Sequence, residues 1–222
     1  NISGTWTQQG SDIDGEAAVD YSGRSVSLSS DGSTVAIGAR LNDGNGSNAG
    51  HVRIYKNISG TWTQVGSDID GEAAGDESGY SVSLSSDGST VAIGAPYNDG
   101  NKPSSGHVRI YKNISGTWTK QGSDIDGEAA YDFSGQSVSL SSDGNTVAIG
   151  APYNDGNGST SGHVRIYIIS SIYPQTSSTD TINSCGAYTW TNGITYTSSN
   201  STATDTFVNA LGCDSIATLN VN

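Results

Sequence analysis

SVSLSSDGSTVAIGA, residues 81–95, decides the fold. Two of its runs, SVSLS and TVAIGA, alternate apolar with small or polar residues, and an Asp-Gly turn lies between them. Alternation with a period of two reads as strand, and Asp-Gly between two such runs reads as a tight hairpin. The phrase stands also at 25–39 and, with one change, at 137–151. Outside it the copying continues. NISGTWT begins at Asn1, Asn57 and Asn113, so the period is 56 residues, and it runs to about residue 168. Each copy carries two further strand signals, GTWTQ (4–8 in the first copy) and HVRIYK (51–56). No stretch shows helical apolar spacing with caps.

Four short antiparallel strands per repeat describe the blade of a β-propeller. A parallel β-helix is the competing reading, but its coils are shorter and its turns less hairpin-like. The expected class is all-β: three tandem four-stranded propeller-type blades over 1–168, then a Ser/Thr-rich linker or closing strand over 169–179. A small β-sandwich-like module over 180–222 follows. Propellers close with about four to eight blades, so three sets do not make a ring. The chain opens on a GTWT strand with no blade before it, and its third copy ends with no GTWT to follow. Head-to-tail association with other copies of itself, as ring or filament, would satisfy both edges. The competing expectation, which the absence of Met supports, is a longer array of which these blades are part.

Composition narrows the function classes. Lys and Arg number 9 against 22 Asp and Glu, a net charge of −13. That balance argues against a basic patch for nucleic acid or anionic membrane. No apolar run approaches the roughly 20 residues of a membrane helix. The 30 Gly, with abundant Ser, Thr, Asn and Asp, suit many turns between short strands. No G-x-S-x-G elbow, phosphate loop or nucleophile–base set is visible, so no catalytic residue is assigned and the chain is read as non-enzymatic.

The copies differ in two places that blade topology puts on one face. One is the loop between GTWTQ and SVSLS; the other joins TVAIGA to HVRIYK. Tyr21, Arg24, Arg40, Leu41, Tyr80, Tyr97, Phe133 and Tyr153 are the candidate ligand face, since variable loops on one side of a repeat array are commonly where it binds. A face that is merely less constrained is the competing reading. The same end carries D-x-D-G-E three times, as Asp12, Asp14, Glu16; Asp68, Asp70, Glu72; and Asp124, Asp126, Glu128. Alternating carboxylates offer oxygen ligands to a hard cation, and Ca2+ is the candidate, against solvated turn residues. His51, His107 and His163 recur with no Cys beside them and read as structural, and Trp6, Trp62 and Trp118 read as packing between blades.

SGYSVSLSSDGSTVAIGAPYNDG (78–100) with GHVRIYK (106–112) resembles the FG-GAP repeat, the blade of integrin-α-type propellers. The resemblance covers 1–168 and implies adhesion or ligand binding at a bacterial cell surface, hence a secreted, extracellular chain. Family members often bind calcium in the first hairpin through D-x-[DN]-x-D-G. Here that hairpin holds one carboxylate, Asp31, Asp87 or Asp143, too few for a site that wants about six to eight oxygens. The expected function is adhesion or a structural, fibre-forming role, with a surface glycan or protein as ligand. The alternative is a glycan-binding propeller or the accessory domain of a secreted enzyme.

Beyond residue 168 the pattern breaks. CGAYTWTNGITYT and NALGCDSIATLNV are short β signals around Cys185 and Cys213, which read as a disulfide or as two buried thiols. These phrases resemble repeat modules of large secreted adhesins of gliding-type bacteria, in a type IX secretion setting. That resemblance implies O-glycan acceptors at Thr181 and Ser215, each following Asp.

Overall fold

The computed structural model describes residues 4–169, 176–182, 188–189, 194–196, 204–208 and 214–221. The chain divides into two compact units, 1–170 and 171–222. Every regular element among the described residues is a strand.

In the first unit, blade one comprises β1 (Ser25–Leu28), β2 (Thr34–Ala39), β3 (His51–Ile58), β4 (Thr61–Gln64) and β5 (Ile69–Asp70). Blade two repeats it as β6 (Ser81–Leu84), β7 (Thr90–Ala95), β8 (His107–Ile114), β9 (Thr117–Lys120) and β10 (Ile125–Asp126). Blade three has β11 (Ser137–Leu140), β12 (Thr146–Ala151) and β13 (His163–Ile168). All pairings within the blades are antiparallel. β4 pairs with the far half of β3, from Tyr55↔Gln64 to Ile58↔Thr61, and β5 with its near half, His51↔Asp70 and Val52↔Ile69. The fourth strand is therefore one strand broken at 65–68.

Two strand expectations change. GTWTQ at 4–8 is not a strand, because the fourth strand pairs with the third strand of its own blade, and none precedes residue 4 among the described residues. The acidic phrase is not wholly loop: Ile69 is buried in β5 while Asp70 faces out.

Strand alternation gives each blade two apolar faces. Ala36, Val52, Ile54 and Ile69 of blade one meet Val82, Leu84, Val91, Ile93, Tyr111 and Trp118 of blade two. The same set recurs one period later, with Ala92, Val108 and Ile110 against Leu140, Val147 and Ile149. Serines of SVSL stitch the joints. Ser27 Oγ accepts from Leu84 N and Ser83 Oγ from Leu140 N, both at 2.9 Å, while Ser25 Oγ donates to Gly79 O at 2.7 Å. The Gly of TVAIGA lets the blades approach, since a Cβ on Gly38 would lie 2.1 Å from Gly79 O.

The turns between β1 and β2 and their copies close locally. Asp31 Oδ1 accepts from Ser29 Oγ at 2.6 Å and from Ser33 N at 2.9 Å, and Oδ2 accepts from Ser33 Oγ at 2.9 Å. The Ser29 hydroxyl, then the Ser33 amide, hold the Asp31 carboxyl down at about 2.

In the second unit, β14 (Thr176–Ile182) pairs parallel with β18 (Asp214–Val221), which pairs antiparallel with β17 (Thr204–Val208). β15 (Tyr188–Thr189) and β16 (Thr195–Tyr196) form a separate antiparallel pair. β14 takes in residues 176–179, which sequence assigns to the linker. Thr181 lies in β14 and Ser215 in β18. Cys185 and Cys213 lie outside the described residues.

Candidate functional site

The two variable loops interleave. Glu77 N donates to Asn48 O and Ser78 N to Ala49 O, at 3.1 and 2.9 Å; Phe133 N and Ser134 N do the same to Ser104 O and Ser105 O. The loops before the second and third SVSL strands are thereby laced to the preceding copy's loop before HVRIY. Buried acids tie the two loops of each copy to one another: Asp20, Asp76 and Asp132 each accept from an Asn amide, Asn42, Asn98 and Asn154, at 2.8–2.9 Å. Asp43, Asp99 and Asp155 accept backbone amides across their own loops. Much of the acidic character of this face is thus loop architecture.

The lacing lines up rings and guanidinium groups from alternate loops. The Arg40 guanidinium sits over Tyr21 at 5.7 Å and over Tyr80 at 5.6 Å, and pairs with Glu77. Arg24 also lies over Tyr80, at 5.5 Å. Tyr80 meets Tyr97 at 6.2 Å, Tyr97 meets Phe133 at 5.2 Å, and Phe133 meets Tyr153 at 5.3 Å, all edge to face. One row therefore runs Tyr21, Arg40, Tyr80, Tyr97, Phe133, Tyr153. Seven of the eight residues expected on the ligand face join this cluster; Leu41 is half-buried and makes no ring contact. Tyr21 and Phe133 hold positive φ of 53°, a left-handed conformation that costs a non-Gly residue about 1–3 kcal/mol and clusters at binding sites. Tyr97 is exposed, and burial by its neighbours still raises its hydroxyl pKa, with Glu77 adding to the rise.

The acidic phrase behaves otherwise than the sequence suggests. Asp12, Asp14 and Glu16 do not converge with one another. Glu16 instead meets His51 and Asp68, and Glu72 meets His107 and Asp124. Asp70 and Asp126 turn outward, and their carbonyls accept from Arg109 and Arg165, as that of Asp14 accepts from Arg53. Burial, then the Arg109 charge, lower the His107 imidazole to about 4, so it is neutral near pH 7. The signal for these clusters was available as a constant spacing, Glu to His 35 residues and His to Asp 17, but it joins separate strands and no single phrase displays it.

Residues 6–55, 63–111 and 124–167 match the family described as FG-GAP repeat. No curated protein matches the chain. Among solved structures it is similar to the periplasmic gluconolactonase PpgL of Pseudomonas aeruginosa, at 18% identity and TM-score 0.43, over 65% of this chain and 38% of that one. It is similar also to a putative 6-phosphogluconolactonase from Bacteroides uniformis, at 14% identity and TM-score 0.39, over 76% of this chain and 44% of that one. The chain spans less than half the length of either structure.

Proposed function

The chain belongs to the FG-GAP repeat family, and on that premise we propose that it is a non-catalytic extracellular protein that adheres through its laced loop face. The observation that supports this is the ring and guanidinium row from Tyr21 to Tyr153. Its members occupy positions where the copies differ, while the strands beneath are nearly invariant. Exposed aromatic rings and arginines are the side chains that dominate binding hot spots. Successive rings cross at 61–75°, so they form a ridge of edges and small faces rather than one flat platform. That shape suits protein side chains better than the face of a sugar ring. The test is binding of labelled chain to immobilised extracellular-matrix proteins and to a glycan array. Tyr97→Ala with Phe133→Ala should weaken the strongest signal at least tenfold, as loss of about 1.4 kcal/mol or more implies. Unchanged binding by the double variant would remove the loop face from the reading, and a signal confined to glycans would favour the glycan-binding alternative.

A structural role has its own support. The two apolar faces joined between blades remain open at the ends of the stack: Val26 and Leu28 of blade one are exposed, as are Val164 and Ile166 of blade three. Their counterparts Leu84, Val108 and Ile110 are buried. A second copy brings the matching face to each. Sedimentation should show association that Ile166→Asp abolishes; a monomer at all concentrations would sink this reading without touching the first.

A further inference from the structure

Two buried imidazoles face carboxylates beyond hydrogen-bond reach: His51, on the face of blade one turned to the segment before it, and His107, at the joint of blades one and two. Strand alternation turns His51, Arg53 and Tyr55 of β3 to one face, away from Val52 and Ile54. On that face the His51 side chain is 2% exposed. Its Nε2 is buried without a hydrogen-bond partner. Its Nδ1 faces Glu16 Oε2 at 3.7 Å and Asp68 Oδ2 at 3.9 Å, beyond hydrogen-bond reach. One period on, the His107 side chain is also 2% exposed, and its Nδ1 faces Glu72 Oε2 at 3.9 Å and Asp124 Oδ2 at 4.0 Å. The nitrogen that matters is Nδ1, which is aimed between two carboxylates it does not touch and leaves a gap that a bound cation would fill.

The outer contacts fit that requirement. In every carboxylate one oxygen is held from outside and the other points at the imidazole. Glu16 Oε1 lies 3.6 Å from Arg53 Nη1, and Glu72 Oε1 lies 3.3 Å from Arg109 Nη1. Asp68 Oδ1 accepts from Gln64 Nε2 at 2.6 Å, and Asp124 Oδ1 pairs with Lys120. Metal sites are built in this way, with outer partners orienting the ligands. Ligands about 2.1 Å from a tetrahedral ion lie about 3.4 Å apart, a few tenths of an ångström closer than here. The carboxylates are partly exposed, which leaves a route in from solvent.

We propose that these two clusters bind divalent transition-metal ions of the zinc class, one held by Glu16, His51 and Asp68 and one by Glu72, His107 and Asp124. The imidazole sets the class: a nitrogen donor suits zinc, cobalt or nickel, whereas calcium takes oxygen alone. Because Glu16 precedes blade one and Glu72 precedes blade two, each ion fastens a blade to the segment before it. The third copy is incomplete. Glu128 Oε2 lies 3.8 Å from His163 Nδ1, but among the described residues no acid takes the part of Asp68 or Asp124, and His163 is 25% exposed. This inference does not depend on the adhesion reading.

Calorimetric titration of the metal-free chain with Zn2+ tests it. Two ions per chain are expected, falling to one in His107→Ala, to none in His51→Ala with His107→Ala, and staying at two in His163→Ala. Glu72→Gln keeps the side-chain volume and should weaken the second site at least tenfold even if an alanine variant misfolds. Co2+ should give a visible absorption band that the His51, His107 double variant lacks. No saturable binding, a stoichiometry indifferent to His51 and His107, or equal binding of Ca2+ would each overturn the proposal.

Discussion

HVRIY occurs three times, in β3, β8 and β13, and its outcome differs. Ile54 of β3 is 2% exposed and Ile110 of β8 is 3% exposed, while Ile166 of β13 is 69% exposed. The strands pair in the same register with the strand before them, from Thr34↔Lys56 in blade one to Thr146↔Ile168 in blade three, but among the described residues β13 has no fourth strand on its other side. Sequence and inner register are thus held constant, and what changes is the fourth strand and the next blade. Local pattern makes the strand; burial of its outer face belongs to the neighbour.

The largest expected effect breaks this comparison directly. Ile110→Ala should destabilise the first unit by about 2–5 kcal/mol, the usual cost of emptying a buried isoleucine site. Ile166→Ala should cost within about 0.5 kcal/mol, as for an exposed position. Denaturant unfolding of the two variants checks it. Equal losses would mean that the β13 face is covered in solution, as association or an adjoining blade would bring about.

The same comparison shows what was legible in the sequence. Alternation and Asp-Gly turns specified β1, β2 and their copies, because those signals act within a hairpin. The ring row is legible in outline: counting strands places both variable loops at one end, which groups Tyr80, Tyr97, Phe133 and Tyr153. The His–carboxylate clusters were not, since Glu16 and His51 meet only when a blade docks on the segment before it. Nor was the reason for the Gly in TVAIGA. A Cβ on Gly94 would stand 2.0 Å from Gly135 O in the next blade, whereas at Gly150 the only close approach is the Ser137 hydroxyl at 2.4 Å, a side chain that can turn aside. The one residue is demanded by packing at a joint and tolerated where no joint forms. Residues 4–8 teach the converse, as a strand-like GTWTQ without its partner strand is not a strand.

The smallest expected effect sharpens the comparison from the local side. The turn between SVSL and TVAIGA should not depend on which end of the stack it occupies. Asp31, Asp87 and Asp143 all have lowered pKa values; at Asp31 and Asp143, both fully exposed, the first cause is a serine hydroxyl two residues before, Ser29 or Ser141. A carboxyl whose folded pKa lies below its ordinary 3.8 contributes stability that is present above that value and lost as pH falls through the folded one, about 2 for Asp31. Asp31→Asn should therefore lower Tm slightly above pH 4, with the difference from the parent chain closing as pH approaches 2. Asp143→Asn should trace the same curve although its blade stands at the other end of the stack and leaves the opposite face open. If the two curves diverge, the turns too answer to the neighbouring blade, through contacts such as Ser86 N to Ser142 O at 2.9 Å, and the division between local turn and shared face fails there.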